Sequence, residues 1–162
     1  MTERSATHST FSIERIYDAS PARVFAAFSS KEAKARWFAG PADKSKEIER
    51  ELDFRVGGKE CLKGRWHSGM VSTFDAVYHD IVPNERIVYS YTMHLDERKI
   101  SVSLATLEFR QAGSKTRLVV TEQGAFLDGY EDKGSRENGT GSLLDKLGAS
   151  LAPEHAIAKS QS

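Results

Sequence analysis

Polar and apolar positions alternate with period two over most of the chain, a pattern that predicts β-strands. The first alternating segment is Phe11–Tyr17, and the pattern resumes near Glu47. Glycine, proline and charged residues interrupt it at intervals typical of hairpin turns, and Gly57-Gly58 is a strong turn signal. Six strands are predicted after the first, at Ile48–Val56, Lys59–Trp66, Val71–Val82, Arg86–Leu95, Ile100–Gln111 and Thr116–Gly124.

Two short helices are predicted between the first strand and the others. Ser20 is an N-cap residue, and Pro21 occupies the first helical position, where proline is favoured. A second helix is predicted over Lys31–Phe38, where Gly40-Pro41 ends it.

A leucine stripe predicts a helix near the carboxyl end, over Ser142–Leu151, ended by Pro153 and preceded by a flexible loop over Gly129–Gly141. A helix with one apolar stripe must pack on the apolar face of the antiparallel sheet. The expected fold is therefore α+β: a curved antiparallel sheet of about six to seven strands that grips the helix and leaves a hollow beneath it. The stripe consists of Leu143, Leu144, Leu147 and Leu151.

Composition indicates one domain and limits the choice of partner. The chain has 162 residues, 39% of them hydrophobic, so we predict a single domain over 11–152 with disordered tails at 1–10 and 153–162. Basic and acidic residues balance at 23 each, which argues against a nucleic-acid partner and a polybasic membrane anchor. No apolar run approaches the roughly 20 residues of a membrane span, and no secretory signal is evident. With Cys61 as its single cysteine, the chain is expected in the cytoplasm.

Five short motifs resemble, in their order and spacing, the START-like (SRPBCC, helix-grip) superfamily. The matching branch is that of the activator of the ninety-kilodalton heat-shock-protein ATPase, and the resemblance covers about Phe11 to Leu151. It implies a sheet and a C-terminal helix around a hydrophobic cavity, which binds lipids, sterols or polyketides in related branches and catalyses cyclisation or hydrolysis in a few. The motifs are RIYDASPARVF at 15–25, ARWF at 35–38, DFRVGG at 53–58, VPNERIVYSY at 82–91 and TEQG at 121–124.

Aromatic residues are the first candidates for ligand contacts. Trp37 and Phe38 end the second helix, where they could form the lip of a cavity or anchor the helix. Tyr89, Tyr91 and Met93 share the strand face that is expected to point toward the C-terminal helix. A buried phenol needs a hydrogen-bond partner, so the two tyrosines could orient a ligand or could bond each other or water.

Two titratable side chains and two leucines complete the candidate set. Glu122 follows Leu118 and Val120 on one strand face, where burial would raise its pKa and make it a polar hook or a general acid or base. The alternative is that Glu122 pairs with an arginine or with solvent. His79 is expected to face inward or to be a core histidine. Leu144 and Leu147 would close the cavity from the helix side.

These patterns support three hypotheses of function. The first is a protein that binds a hydrophobic small molecule, such as a lipid or an aromatic metabolite, in the cavity. The second is an enzyme of the cyclase or hydrolase type in the same cavity, and the third is a module that modulates a chaperone. The histidine spacing indicates no metal site, Cys61 is interpreted as a small apolar filler, and no cofactor is predicted.

Overall fold

The computed structural model describes residues 3–160, with side chains described as far as Leu151. Seven strands form one curved antiparallel sheet in the order β1-β7-β6-β5-β4-β3-β2, which confirms the predicted α+β fold. The elements in chain order are β1 (Ala6–Tyr17), α1 (Pro21–Ala26), α2 (Lys31–Ala35), β2 (Ser45–Leu52), β3 (Lys59–Trp66), β4 (Val71–Val82), β5 (Arg86–Leu95), β6 (Arg98–Ala112), β7 (Lys115–Leu127) and α3 (Ser135–Ser160).

Tight turns explain why consecutive strands from β2 to β7 are neighbours in the sheet. Asn84 turns β4 into β5 with φ 66°, and Asp96 turns β5 into β6 with φ 53°. Between β2 and β3, Gly58 lies so close to the backbone that a Cβ would be 2.0 Å from the Asp53 carbonyl oxygen. β1 then pairs with β7 in one continuous register, from Ala6 opposite Leu127 to Tyr17 opposite Thr116.

Two elements, β1 and α3, begin five or more residues earlier than predicted. β1 starts at Ala6, inside the segment assigned to the N-terminal tail, because β7 continues to Leu127 and supplies a pairing partner. α3 starts at Ser135, inside the predicted loop, because the Asp132 carboxylate accepts hydrogen bonds from the Ser135 hydroxyl and the Arg136 amide and so caps the helix.

The carboxyl end of α3 differs from the prediction as well. The helix passes Pro153, where we expected it to stop, since a proline inside a helix removes one hydrogen bond and need not end it. The predicted tail at 153–162 falls on residues whose side chains lie outside the described part of the chain, as do residues 1 and 2 of the other tail.

α1 and α2 pack an aromatic cluster against the inner face of the sheet, the face that α3 crosses. Phe28 contacts Trp37 and Phe109 with ring centroids 4.8 and 5.6 Å apart. The Trp37 indole donates to the Ala27 carbonyl at 2.9 Å, so its one polar atom is satisfied in the core. Trp37 therefore anchors α2 to α1.

α3 is held most closely to β1 along the segment from Gly141 to Leu151. A Cβ at Gly148 would be 3.1 Å from the Tyr17 ring, and one at Gly141 would be 3.2 Å from the Arg15 guanidinium. The Tyr17 hydroxyl donates to the Leu144 carbonyl at 2.7 Å. These close contacts fix the height of the helix above the sheet.

Candidate functional site

Aromatic rings fill the space in which a hollow was predicted. On β4 and β5, the ring centroids of Tyr78 and Tyr89 are 5.6 Å apart, and those of Tyr89 and Tyr91 are 5.9 Å apart. Phe74 lies 4.9 Å from Tyr91 and 5.0 Å from Phe38. This strip of rings (Phe38, Phe74, Tyr78, Tyr89 and Tyr91) occupies the inner face, so sheet and helices meet through packed side chains where we expected an open cavity.

A buried polar cluster joins one end of this strip to the first turns of α3. The Tyr91 hydroxyl donates to Glu122 Oε1 at 2.5 Å and accepts from Arg136 Nη1 at 3.1 Å. Arg136 Nη2 also donates to the Ser101 hydroxyl at 2.8 Å. The Arg136 guanidinium lies 5.6 Å from the Tyr91 ring, so one arginine connects α3 to β5 and β6.

Burial sets the proton affinity of this cluster. Glu122 is 4% exposed, and burial raises the pKa of its carboxyl above the ordinary value, although the Tyr91 hydrogen bond and the Arg136 charge act in the opposite direction. Burial and the Glu122 charge also raise the pKa of Tyr91. The site therefore holds a carboxyl that takes up a proton at higher pH than an ordinary glutamate, a phenol that keeps its proton and one fixed cation.

The Glu122 carboxyl should make folding depend on pH in a defined direction. Its pKa in the folded protein lies above the ordinary value of 4.5, so its contribution is complete below about pH 4.5 and is lost as the pH rises through the raised pKa. In Glu122→Gln, this loss should be absent. Chemical denaturation of both proteins from about pH 4 to about pH 8 measures the difference between their free energies of unfolding.

That difference isolates Glu122, because the lowered pKa values of Glu14 and Asp128 act equally in both proteins. Parallel pH curves for the parent protein and the variant would contradict the raised pKa.

A small recess opens beside the polar cluster, between β1, β7 and the start of α3. Its volume is about 10 Å³, close to the least space that holds one water molecule. The lining combines two carboxyl groups, a guanidinium, two hydroxyls and two phenyl rings. It consists of Ser9, Phe11, Ser103, Glu122, Gly124, Phe126, Asp132 and Arg136.

A second buried polar cluster lies at the other end of the aromatic strip. Lys34 Nζ donates to Glu60 Oε1 at 2.7 Å, and the Tyr78 hydroxyl donates to the same oxygen at 2.6 Å. Lys34 is 2% exposed and Glu60 3%, and burial lowers the lysine pKa against the opposing effect of Glu60. The ammonium also lies 4.5 Å from the centre of the Phe38 ring. These contacts attach α2 to β3 and β4.

Of the predicted site residues, most lie in or against the inner core, and His79 does not. Tyr91 and Glu122 meet in the first polar cluster, whereas Trp37, Leu144 and Leu147 are buried in the core. Phe38, Tyr89 and Met93 are half-buried against it.

The inward orientation expected for His79 is wrong: the histidine is exposed on the outer face, with Nε2 2.7 Å from the Ser90 hydroxyl. A β-bulge between Tyr78 and Asp80 shifts the alternation, so Tyr78 and Ile81 face inward while His79 does not.

Three charged residues of the two clusters were missed by sequence reasoning, as were Tyr78 and Ser101. Arg136 falls in the segment predicted as a loop, and Lys34 and Glu60 are charged residues far apart in the chain. A usable signal existed for Glu60 alone: it alternates with Leu62 on β3, as an inward residue should.

A shallow groove of about 370 Å³ lies on the outer face of the sheet, and its lining includes Glu60 and Tyr91, one residue of each cluster. Its floor is made of short side chains that include Cys61, Ser90 and Thr92. Burial, together with hydrogen bonds to Glu49 and Asp75, raises the pKa of the Cys61 thiol to about 12. The thiol therefore stays protonated, which suits a filler better than a nucleophile.

Within residues 3–151, no three histidine, cysteine, aspartate or glutamate side chains come close enough together to hold a metal ion. None of the helices in that range combines the length and apolar character needed to cross a bilayer.

A curved sheet around a C-terminal helix, with polar groups buried between the two, defines a START-like helix-grip protein. Residues 18–152 match the family described as activator of Hsp90 ATPase homolog 1-like protein, and the chain belongs to this family. No curated protein matches the chain.

Solved structures agree with this assignment. A protein from Rhizobium leguminosarum is 46% identical with TM-score 0.89 over 93% of this chain and 99% of its own. A Rhizobium loti protein is 44% identical with TM-score 0.83 over 90% and 99%. A Chromobacterium violaceum protein is 26% identical with TM-score 0.71 over 89% and 97%.

Proposed function

We propose that the protein binds an amphipathic small molecule between the sheet and the first turns of α3. The observation that carries this proposal is the Tyr91–Glu122–Arg136 cluster at the end of an aromatic strip, in which Tyr91 and Glu122 are buried and Arg136 is half-buried. The cluster offers a ligand both a hydrogen-bond donor and an acceptor, and the rings offer apolar area. A few fixed polar groups in an apolar setting are typical of small-molecule sites.

The cost of burying charge supports a role beyond packing. Taking a carboxylate out of water costs several kcal/mol, and apolar side chains of the same size often stabilise a core at least as well. Glu122 is 4% exposed and lies among apolar neighbours such as Val120 and Phe126, which are buried too. Hydrogen bonding of a ligand to the cluster would explain why the protein keeps a buried carboxyl that lowers its stability.

The recess beside the polar cluster measures only about 10 Å³, so a ligand needs the start of α3 to move. Ser135, Glu137, Asn138 and Gly139 are exposed, so the first turns of the helix bury little apolar surface. Arg136 ties them to the sheet, whereas the later turns are fixed by Gly148 and the Tyr17 hydrogen bond. Segments that bury little surface open at low free-energy cost. We infer that the guest reaches Tyr91 beneath these turns.

Binding of matched probes tests the proposal. Sodium decanoate and 1-decanol have the same chain length and differ in head group, and each is titrated into the 15N-labelled protein. We expect saturable shifts at Phe11, Gly124 and Arg136, which lie at the recess. In Arg136→Met, decanoate should bind roughly tenfold more weakly, because a charge-assisted hydrogen bond is lost.

Arg98→Met is the matched control, since Arg98 contacts the Asp128 carbonyl and the Tyr130 ring near the same end of the molecule but outside the recess. It should bind decanoate as the parent protein does. Saturable shifts confined to the outer groove, at Cys61 and Thr92, would contradict the proposed site. Absence of binding by both probes would contradict the ligand class.

A further inference from the structure

The two edge strands of the sheet differ in how they are protected. β2 carries five charged residues and a β-bulge, two devices that discourage pairing with another chain. β1 has no charged residue from Ala6 to Ile13, no proline and no bulge, and it pairs with β7 along all of its 12 residues. It therefore presents a long, regular edge without the usual protection.

This edge is most open in its first half, and beyond it Ser12 and Glu14 stay exposed on the outer face. Residues Ala6–Thr10 are exposed, whereas the close contacts of α3 with β1 fall on Ile13, Arg15 and Tyr17. Arg4 and Ser5 extend the line of the strand, because both hydrogen-bond to the Asp128 carboxylate. The exposed backbone can accept a further antiparallel strand beside β1.

We propose that two copies of the chain pair through β1, antiparallel about a two-fold axis at Ser9. In an antiparallel pair of identical strands, residues directly opposite each other point to the same face of the sheet. The inner faces of both copies therefore lie on the same side only when the two-fold axis lies between a residue and the same residue of the other copy. With the axis at Ser9, Arg4 faces Glu14 of the second copy and Glu3 faces its Arg15. Moving the axis to Thr7, His8 or Thr10 leaves no pair of opposite charges, and moving it to Phe11 leaves only Arg4 opposite Asp18, which lies beyond the end of β1. The charges therefore favour the register at Ser9.

The charges already present on each chain extend this complementarity. Arg4 lies 2.9 Å from Asp128, and Glu14 lies 2.6 Å from Arg117, all on the outer face. Pairing across the axis would place Arg4 of one copy beside Glu14 of the other and so produce a row of alternating charge. Opposite charges directly across two strands stabilise their pairing, and like charges destabilise it.

Charge reversal and its rescue test the register. The full chain is examined by sedimentation equilibrium over a range of concentrations, and the parent protein should dimerise. Arg4→Glu and Glu14→Arg each place like charges across the axis twice and should raise the dissociation constant roughly tenfold or more. The double variant R4E/E14R should return it to near the parent value, because opposite charges face each other again.

Rescue is specific to pairing between copies. Within one chain, R4E/E14R keeps an acidic residue beside Asp128 and a basic residue beside Arg117, so neither internal contact is repaired. Lys46→Glu on the β2 edge is the control and should leave the dissociation constant unchanged. Amide exchange should slow at Ala6–Ser12 as the concentration rises.

The proposal is overturned by a chain that sediments as a monomer at every concentration. It is equally overturned if the dissociation constant of the dimer is the same in the Arg4 and Glu14 variants as in the parent protein. A double variant that dimerises as weakly as the single variants would overturn it too. None of these measurements involves a ligand, so the proposed dimer and the proposed function can each fail without the other.

Discussion

Replacing Glu60 with leucine is expected to lower the free energy of unfolding by about 3–5 kcal/mol, because the Lys34 ammonium would be left buried without its anionic partner. The loss should appear in urea denaturation near neutral pH as a lower midpoint with an unchanged slope.

Two further variants separate the ion pair from its surroundings. In K34M/E60L the uncompensated charge is absent, so this double variant should be more stable than Glu60→Leu alone. Tyr78→Phe deletes one hydrogen bond to Glu60 and should cost about 1–3 kcal/mol. If the double variant were as unstable as the single one, packing at these positions would outweigh the charge.

Leu147→Ala is expected to destabilise the protein by about 2–5 kcal/mol, since Leu147 is fully buried where α3 meets the core. Leu143→Ala, on the same helix but half-buried, should cost clearly less and serves as the matched control. Thermal and urea denaturation measure both variants.

The comparison also bears on the prediction that Leu147 contacts a ligand. A side chain that lines an open site can be truncated without leaving a sealed cavity. Unchanged stability of Leu147→Ala combined with weaker decanoate binding would therefore favour the ligand contact over the core position.

The sheet could be predicted because each strand carries its own local signals. On β5, Ile87, Tyr89 and Tyr91 alternate with Val88 and Ser90, which face the other side of the sheet. The turn at Asn84 separates β5 from β4. Such signals need no knowledge of the rest of the fold. The bulge at His79 is different, because nothing in the β4 sequence marks the residue that leaves the ladder.

Part of the site followed from the same alternation. Glu122 shares a face with Leu118 and Val120, so the alternation alone predicts a carboxyl among apolar side chains if that face points inward, as it does. Arg136 was missed because its segment is polar and rich in glycine, a composition that resembles a loop. The Asp132 cap that makes this segment helical is one side chain, and its effect outweighs the composition.

The hollow was inferred from topology, and topology does not determine packing. Whether a sheet and a helix enclose space depends on the volume of the side chains between them. Here tyrosine and phenylalanine rings from β4, β5 and α2 meet at centroid distances of about 5–6 Å and occupy that volume. A count of apolar positions cannot reveal this, since it treats valine and tyrosine alike.

The two glycines of α3 that contact β1 allow the helix to lie close to the strand. At Gly141 and Gly148 the helix backbone rests almost directly on the Arg15 and Tyr17 side chains. The distance between α3 and the tyrosines on β5 is therefore set partly at β1, on the other side of the molecule. Relatives with bulkier residues at these two positions would carry the same topology with a raised helix and a larger interior.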